Sequence, residues 1–172
     1  MRIEWINYLF RFLVVGALQV LFFNHINVFN VAIPFFYVIF FITLPVDVKG
    51  IPLLLIAFLG GLTIDVFTNT LGMHSTACLT LAFARPYVLE LLSPREGYEF
   101  NSKPSVAEFG TLWFIPYGLI LIVLHHFVLF SVEALRFAEF FWILGKTLSS
   151  AILTLLIILL AQSFNAKSTQ FE

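Results

Sequence analysis

Charged residues are scarce in this chain of 172 residues. They make up 11% of it, whereas hydrophobic residues make up 60%. A soluble domain usually carries about twice that charged share, so the composition excludes a soluble protein with an ordinary polar surface. The formal net charge of −1 gives no basic surface for nucleic acid. The single cysteine, Cys78, excludes an internal disulfide and a CxxC metal site.

Motifs that carry catalytic chemistry are also missing. The sequence has no glycine-rich phosphate loop, no HExxH metal helix, and no readable Ser–His–Asp or paired-carboxylate arrangement. His125 and His126 are adjacent, so they project about 100° apart on a helix and chelate one metal poorly. We therefore predict no enzyme activity, no cofactor, and no catalytic or metal-binding residues.

The chain is instead rich in long apolar segments, with 22 phenylalanines. A membrane-spanning helix needs about 20 apolar residues. The amino terminus leads into such a run without a cleavage site, which predicts a retained first helix. We predict an all-α, polytopic membrane protein with a single integral membrane domain over 1–172. Six helices are expected at approximately 5–23, 33–46, 51–66, 73–92, 111–132 and 140–162, followed by a polar cytoplasmic tail at 163–172.

Basic residues predict the orientation, because short cytoplasmic loops are enriched in Lys and Arg. With the amino terminus inside, seven basic residues fall on the inner side and two on the outer side. The inner residues are Arg2, Arg11, Lys49, Arg85, Arg95, Lys103 and Lys167, and the outer ones are Arg136 and Lys146. This asymmetry favours an even number of crossings with both termini in the cytoplasm.

Asp65 is the most informative polar residue inside an apolar segment. Ala57, Gly61 and Asp65 recur every four residues and so share one helix face, and small residues at this spacing let another helix approach closely. We expect the Asp65 carboxylate to face the N–H groups of 68–70 or the start of the fourth helix. A structural turn cap is the leading interpretation, and a proton or ion relay is the alternative.

Further polar residues define candidate contact positions. His74 is placed at the outer end of the fourth helix, where a hydrogen bond to Asp65 is plausible, and Arg85 is expected to reach the inner headgroups where Pro86 ends the regular helix. In the sixth helix, Lys146, Ser150 and Thr154 form a stripe that predicts hydroxyl contacts across helices. The candidate structural or partner-contact residues are Gly61, Asp65, Gly72, His74, Arg85, Glu133, Arg136 and Lys146.

The turn around Asp65 resembles a known signature. Gly60-Gly61-Leu62-Thr63-Ile64-Asp65-Val66-Phe67, followed by Leu71-Gly72-Met73-His74, is similar to that of the rod shape-determining protein MreD family. The length and hydropathy layout resemble that family over nearly the whole chain.

This resemblance implies a non-catalytic component of the bacterial cell-elongation machinery in the inner membrane. It implies an MreC-like membrane partner, joint action with MreB, RodA and the elongation transpeptidase in peptidoglycan synthesis, and contact with membrane lipids. It also implies a compact bundle similar to the substrate-binding subunits of energy-coupling-factor transporters. The alternative function is a small-molecule-binding subunit of a transporter, with Asp65 and His74 at the outer mouth of a cavity.

Overall fold

A computed structural model describes residues 2–28, 31–134 and 139–168, and helices are the only regular elements in those ranges. A short 3-10 turn, Phe23–His25, follows the first helix. The helices are α1 (Arg2–Leu21), α2 (Val38–Ile42), α3 (Ile51–Thr68), α4 (Met73–Leu91), α5 (Val106–Phe109), α6 (Thr111–Ala134) and α7 (Phe140–Ser168). The expected all-α class is therefore confirmed for the described part.

Four helical stretches are long and apolar enough to cross a membrane: Trp5–His25, Ile51–Thr68, Thr111–Ala134 and Phe140–Phe164. The prediction of six spanning helices is met only in part. The fourth predicted span forms a helix of full length, α4, but its His, Thr and Arg side chains lower its hydropathy. The second predicted span, 33–46, is helical only at Val38–Ile42.

The structure contradicts two of the predicted boundaries. Pro86 does not end the fourth helix, because α4 continues to Leu91 with Pro86 inside it. The predicted polar tail at 163–172 overlaps α7, which continues to Ser168. The long polar loop between α4 and α6 also contains the one-turn helix α5, which Ser105 caps by accepting a hydrogen bond from the Glu108 N–H at 3.3 Å.

We call residues 31–48 the central segment. Its residues 32–45 are buried or nearly so, and Tyr37, Val38, Phe41 and Ile42 have no exposed surface. Pro34 and Pro45 flank the short helix α2, and a proline disfavours helical geometry in the residue before it. Pro45 thus favours the end of α2 before Leu44, and Pro34 favours non-helical backbone at Ile33.

Side chains from other helices bind the backbone of the central segment where its own helix is missing. The Ile33 N–H donates to Ser150 Oγ at 3.0 Å, and the Phe35 N–H donates to Thr154 Oγ1 at 3.1 Å. Gln19 of α1 accepts from the Tyr37 N–H at 3.3 Å and donates to the carbonyl of Pro34 at 3.2 Å. Non-helical backbone is tolerated at membrane depth only when protein groups satisfy it.

The long helices surround this segment. α4 packs between α3 and α6, α6 packs against α7, and α1 lies at the edge with few contacts. We call the end with the α3–α4 turn the Asp65 end, and the opposite end the Arg85 end. Lys103, in the loop at the Arg85 end, has its Nζ 5.8 Å from the Tyr8 ring centroid, and the Val106 N–H donates to Gln162 at 2.6 Å. The start of α1 and the last turns of α7 therefore share one end.

Candidate functional site

Asp65 joins the end of α3 to the beginning of α4. It is 2% exposed, and its carboxylate accepts hydrogen bonds from the backbone N–H of His74 at 3.0 Å and of Ser75 at 2.9 Å. The hydroxyls of Thr70 and Ser75 donate to it at 2.6 and 2.7 Å. Of the two arrangements expected from sequence, the structure has the carboxylate at the start of the fourth helix, where an anion also complements the helix dipole.

Two glycines make this turn possible. A Cβ on Gly61 would lie 2.5 Å from the Ser75 Cα and 2.8 Å from the His74 carbonyl oxygen, so only glycine permits this approach of α3 to α4. Gly72 begins α4 at φ +78, a left-handed conformation that glycine adopts without cost. The expected face of Ala57, Gly61 and Asp65 is buried against α4.

His74 does not bond to Asp65 through its ring. Instead, its Nδ1 lies 2.9 Å from the Tyr37 hydroxyl, which is also 2.7 Å from His125 Nε2. The phenol has one proton, so it donates to one imidazole and accepts from the other. Cys78 lies beside them, with its sulfur 3.8 Å from the Tyr37 oxygen. This cluster connects the central segment to α4 and α6.

His126 makes a second connection, to α7. Its Nδ1 lies 2.8 Å from the carbonyl oxygen of Ile122, and its Nε2 lies 3.0 Å from Thr154 Oγ1. Since a carbonyl only accepts, Nδ1 carries the proton and Nε2 accepts from the Thr154 hydroxyl. Thr154 therefore donates to His126 and accepts from the Phe35 N–H. The predicted hydroxyl stripe of α7 is buried as expected, but it binds a histidine and non-helical backbone.

Arg85 occupies the opposite end of the core. It has no exposed surface, so the expectation that it reaches the headgroups is wrong. Its guanidinium donates to the carbonyl of Leu44, to the carbonyls of Pro45 and Val48 at 3.4 and 3.3 Å, and to the Tyr117 hydroxyl at 3.1 Å. Tyr117 in turn donates to the carbonyl of Ile42 at 2.7 Å. Arg85 and Tyr117 thus cap the carboxyl end of α2.

The polar loop packs onto the Arg85 end through Tyr98. The Tyr98 hydroxyl donates to the carbonyl of Leu89 at 2.8 Å. Partial burial raises the pKa of the Tyr98 phenol to about 12, so the hydroxyl keeps its proton at neutral pH. Trp113, at the start of α6, donates to the carbonyl of Leu92 at 2.8 Å and stacks on Tyr117. The loop is therefore fixed to α4 and α6.

Glu133 and Lys146 lie at the Asp65 end, where α6 ends and α7 begins. Lys146 Nζ forms an ion pair with Glu133 at 2.9 Å and lies 4.3 Å from the Phe130 ring centroid. Half of the Glu133 side chain is exposed, whereas the Lys146 side chain is 15% exposed. Arg136 lies outside the described residues.

The buried polar side chains described above connect the central segment to the long helices through hydrogen bonds. Within the described ranges, no group of three or more His, Cys, Asp or Glu side chains is arranged to hold a metal ion. The sequence did not indicate a role for Tyr37, Tyr117 or Gln19, although all three have no exposed surface. Tyr117 and Gln19 bind the backbone of the central segment, and Tyr37 connects that segment to α4 and α6. A polar residue inside an apolar run was the only available signal for them.

No protein-family model matches the chain, and searches of curated proteins and of solved structures found no significant match. The resemblance to the MreD family therefore depends on the residues of the Asp65 turn and on the layout of the chain.

Proposed function

We propose that this protein is a non-catalytic membrane scaffold of the bacterial cell-elongation machinery, which binds an MreC-like single-span protein and supports peptidoglycan synthesis and cell shape. The Asp65 turn supports the proposal. The residues that resemble the MreD signature, Gly61, Asp65, Gly72 and His74, act as one unit that fixes α3 against α4. Contacts of this kind stabilise the packing of two neighbouring helices.

One observation carries the scaffold proposal: the charged and histidine side chains of the core are bonded within the protein, whereas the outward faces are apolar. Asp65, Arg85, His125 and His126 are at most 2% exposed. The outward residues of α1, α3 and α7 include large apolar side chains that are 40–86% exposed, such as Phe10, Leu59 and Phe141. A protein with this distribution acts through contacts of its surface with lipid and with other membrane helices.

We further propose six crossings in the inner membrane, with the central segment and α4 as the second and fourth and with both termini cytoplasmic. α3 and α4 form a hairpin across the short turn 69–72. If α3 crosses the membrane, its antiparallel neighbour of 19 residues crosses as well. Lys49, Arg95 and Lys103 lie at the Arg85 end. Short cytoplasmic loops are enriched in Lys and Arg, which supports the cytoplasm as the side of that end.

The transporter alternative is disfavoured by the same contacts. It requires Asp65 and His74 to face a cavity where a small molecule binds. Both Asp65 oxygens accept hydrogen bonds from α4 or the turn, His74 Nδ1 lies 2.9 Å from Tyr37, and His74 is 5% exposed. A ligand would have to displace bonds that fix the helices.

Site-specific photo-crosslinking in native membranes tests the scaffold proposal. Leu71, at the Asp65 end, is 98% exposed, and Leu112, at the Arg85 end, is 91% exposed. We expect a photoreactive residue at position 71 to crosslink to a single-span protein with a periplasmic domain, and one at position 112 not to do so. Recovery of an energising ATPase complex without an MreC-like partner would contradict the proposal.

A further inference from the structure

An apolar groove runs between α1 and α3 on the outside of the bundle. It consists of two cavities of about 270 and 320 Å³ that share Phe12 and Thr63 and continue along α1 from Trp5 to Leu21. The Thr63 hydroxyl donates to the carbonyl of Leu59 at 2.8 Å in its own helix. Its hydrogen bond is therefore satisfied within α3, and the groove needs no polar ligand there. The groove is therefore suited to hydrocarbon.

The length of the groove suits an acyl chain. Trp5 and Leu21 are sixteen residues apart, which is about 24 Å along a helix. This exceeds the thickness of the hydrocarbon region of one leaflet, about 15 Å.

Two cations without a carboxylate partner lie where the groove reaches the Arg85 end. Lys103 Nζ is 5.8 Å from the ring centroid of Tyr8, and Tyr8 lines the groove. Arg11 follows one turn later in α1 and donates to the Thr43 hydroxyl at 2.6 Å. Glu108 accepts from the backbone N–H of Lys103 at 2.8 Å. In the described part of the chain, neither the Lys103 ammonium nor the Arg11 guanidinium forms an ion pair.

A guanidinium inside a spanning helix is costly unless an anion or water compensates it. Basic sites between membrane helices on the cytoplasmic side bind anionic lipid headgroups. We propose that the groove between α1 and α3 binds an anionic phospholipid, with an acyl chain along Phe12 and Thr63 and a headgroup phosphate held by Lys103 and Arg11.

Native mass spectrometry of the full-length protein with added phosphatidylglycerol tests the site, with phosphatidylcholine of identical acyl chains as the comparison. We expect phosphatidylglycerol to bind more tightly. Lys103→Gln should weaken its binding about fivefold, because one lysine near a membrane surface contributes attraction of that size. Lys49→Gln is the matched control, since Lys49 is a cation at the same end that lines a different cavity, together with Arg85 and Glu90.

A second pair of variants tests the acyl-chain part. Thr63→Trp fills the point where the two cavities meet and should abolish retention of both lipids, whereas Leu55→Trp, on the exposed face of α3, should not. Equal binding of the two lipids, or equal effects of Lys103→Gln and Lys49→Gln, would overturn the proposal. A protein dimer that Thr63→Trp dissociates would overturn it too, because the groove would then hold a second copy.

Discussion

Replacing Thr154 by valine tests whether α7 supports the central segment. Valine has nearly the shape of threonine but removes the hydroxyl, so the Phe35 N–H loses its acceptor and His126 Nε2 loses its donor. Hydrogen bonds across membrane helices contribute about 0.6 kcal/mol on average and up to about 1.7 kcal/mol, and an unpaired buried group costs about 1–3 kcal/mol. We expect Thr154→Val to lower the free energy of unfolding by about 1–3 kcal/mol.

Thr147 provides the matched control in the same helix. It is also fully buried, but its hydroxyl has no hydrogen-bond partner among the residues that the structure describes. Thr147→Val should therefore leave the free energy of unfolding unchanged or raise it, because an unsatisfied hydroxyl is removed. The measurement is unfolding of the purified protein in mixed micelles with increasing dodecyl sulfate, followed by circular dichroism. If Thr147→Val destabilised the protein as much as Thr154→Val, the assigned role of Thr154 would be refuted.

Substitutions at Gly61, Asp65 and Arg85 test the helix contacts, the first two by the same titration and the third by hydrogen exchange. Gly61→Ala forces a Cβ against the backbone of Ser75 and should cost about 1–3 kcal/mol, whereas Gly145→Ala, where a Cβ meets nothing within 4 Å, should cost nothing. Asp65→Leu leaves two N–H groups of α4 unpaired and should cost more than Asp65→Asn, which keeps one accepting oxygen; wild-type stability of the leucine variant would contradict the cap. Arg85→Met removes the donors to three carbonyls and should speed hydrogen exchange in the central segment, with Arg85→Lys intermediate; unchanged exchange in Arg85→Met would show that other groups hold this backbone.

The sequence predicted the parts of the fold that depend on local pattern. The spacing of Ala57, Gly61 and Asp65 identified the buried face of α3, and the polar turn identified the hairpin with α4. These features could be predicted because the residues that determine them lie within about twenty positions of one another. The four most apolar stretches were found for the same reason.

The central segment could not be predicted from its own residues. Hydropathy measures side chains, and the run from Ile33 to Val46 is apolar enough for a helix. Its backbone is satisfied by Ser150 and Thr154, more than a hundred residues away, and by Arg85. The error at Arg85 has a similar cause. The carbonyls that Arg85 binds lie 37–41 residues earlier in the chain, and the sequence near Arg85 indicated only headgroups as acceptors.

The dependence of the central segment on α7 affects how the protein is made. Ribosomes deliver the segment to the membrane more than a hundred residues before Ser150 and Thr154 emerge. Until then the N–H groups of Ile33 and Phe35 lack their final acceptors, and a bilayer core offers no others. We expect the central segment to reach its final position only after the last helix is synthesised. In a chain truncated before α7, the central segment should therefore be cleaved faster by an added protease than in the full-length chain. The folding of this protein is then completed from its carboxyl-terminal helix back to the central segment.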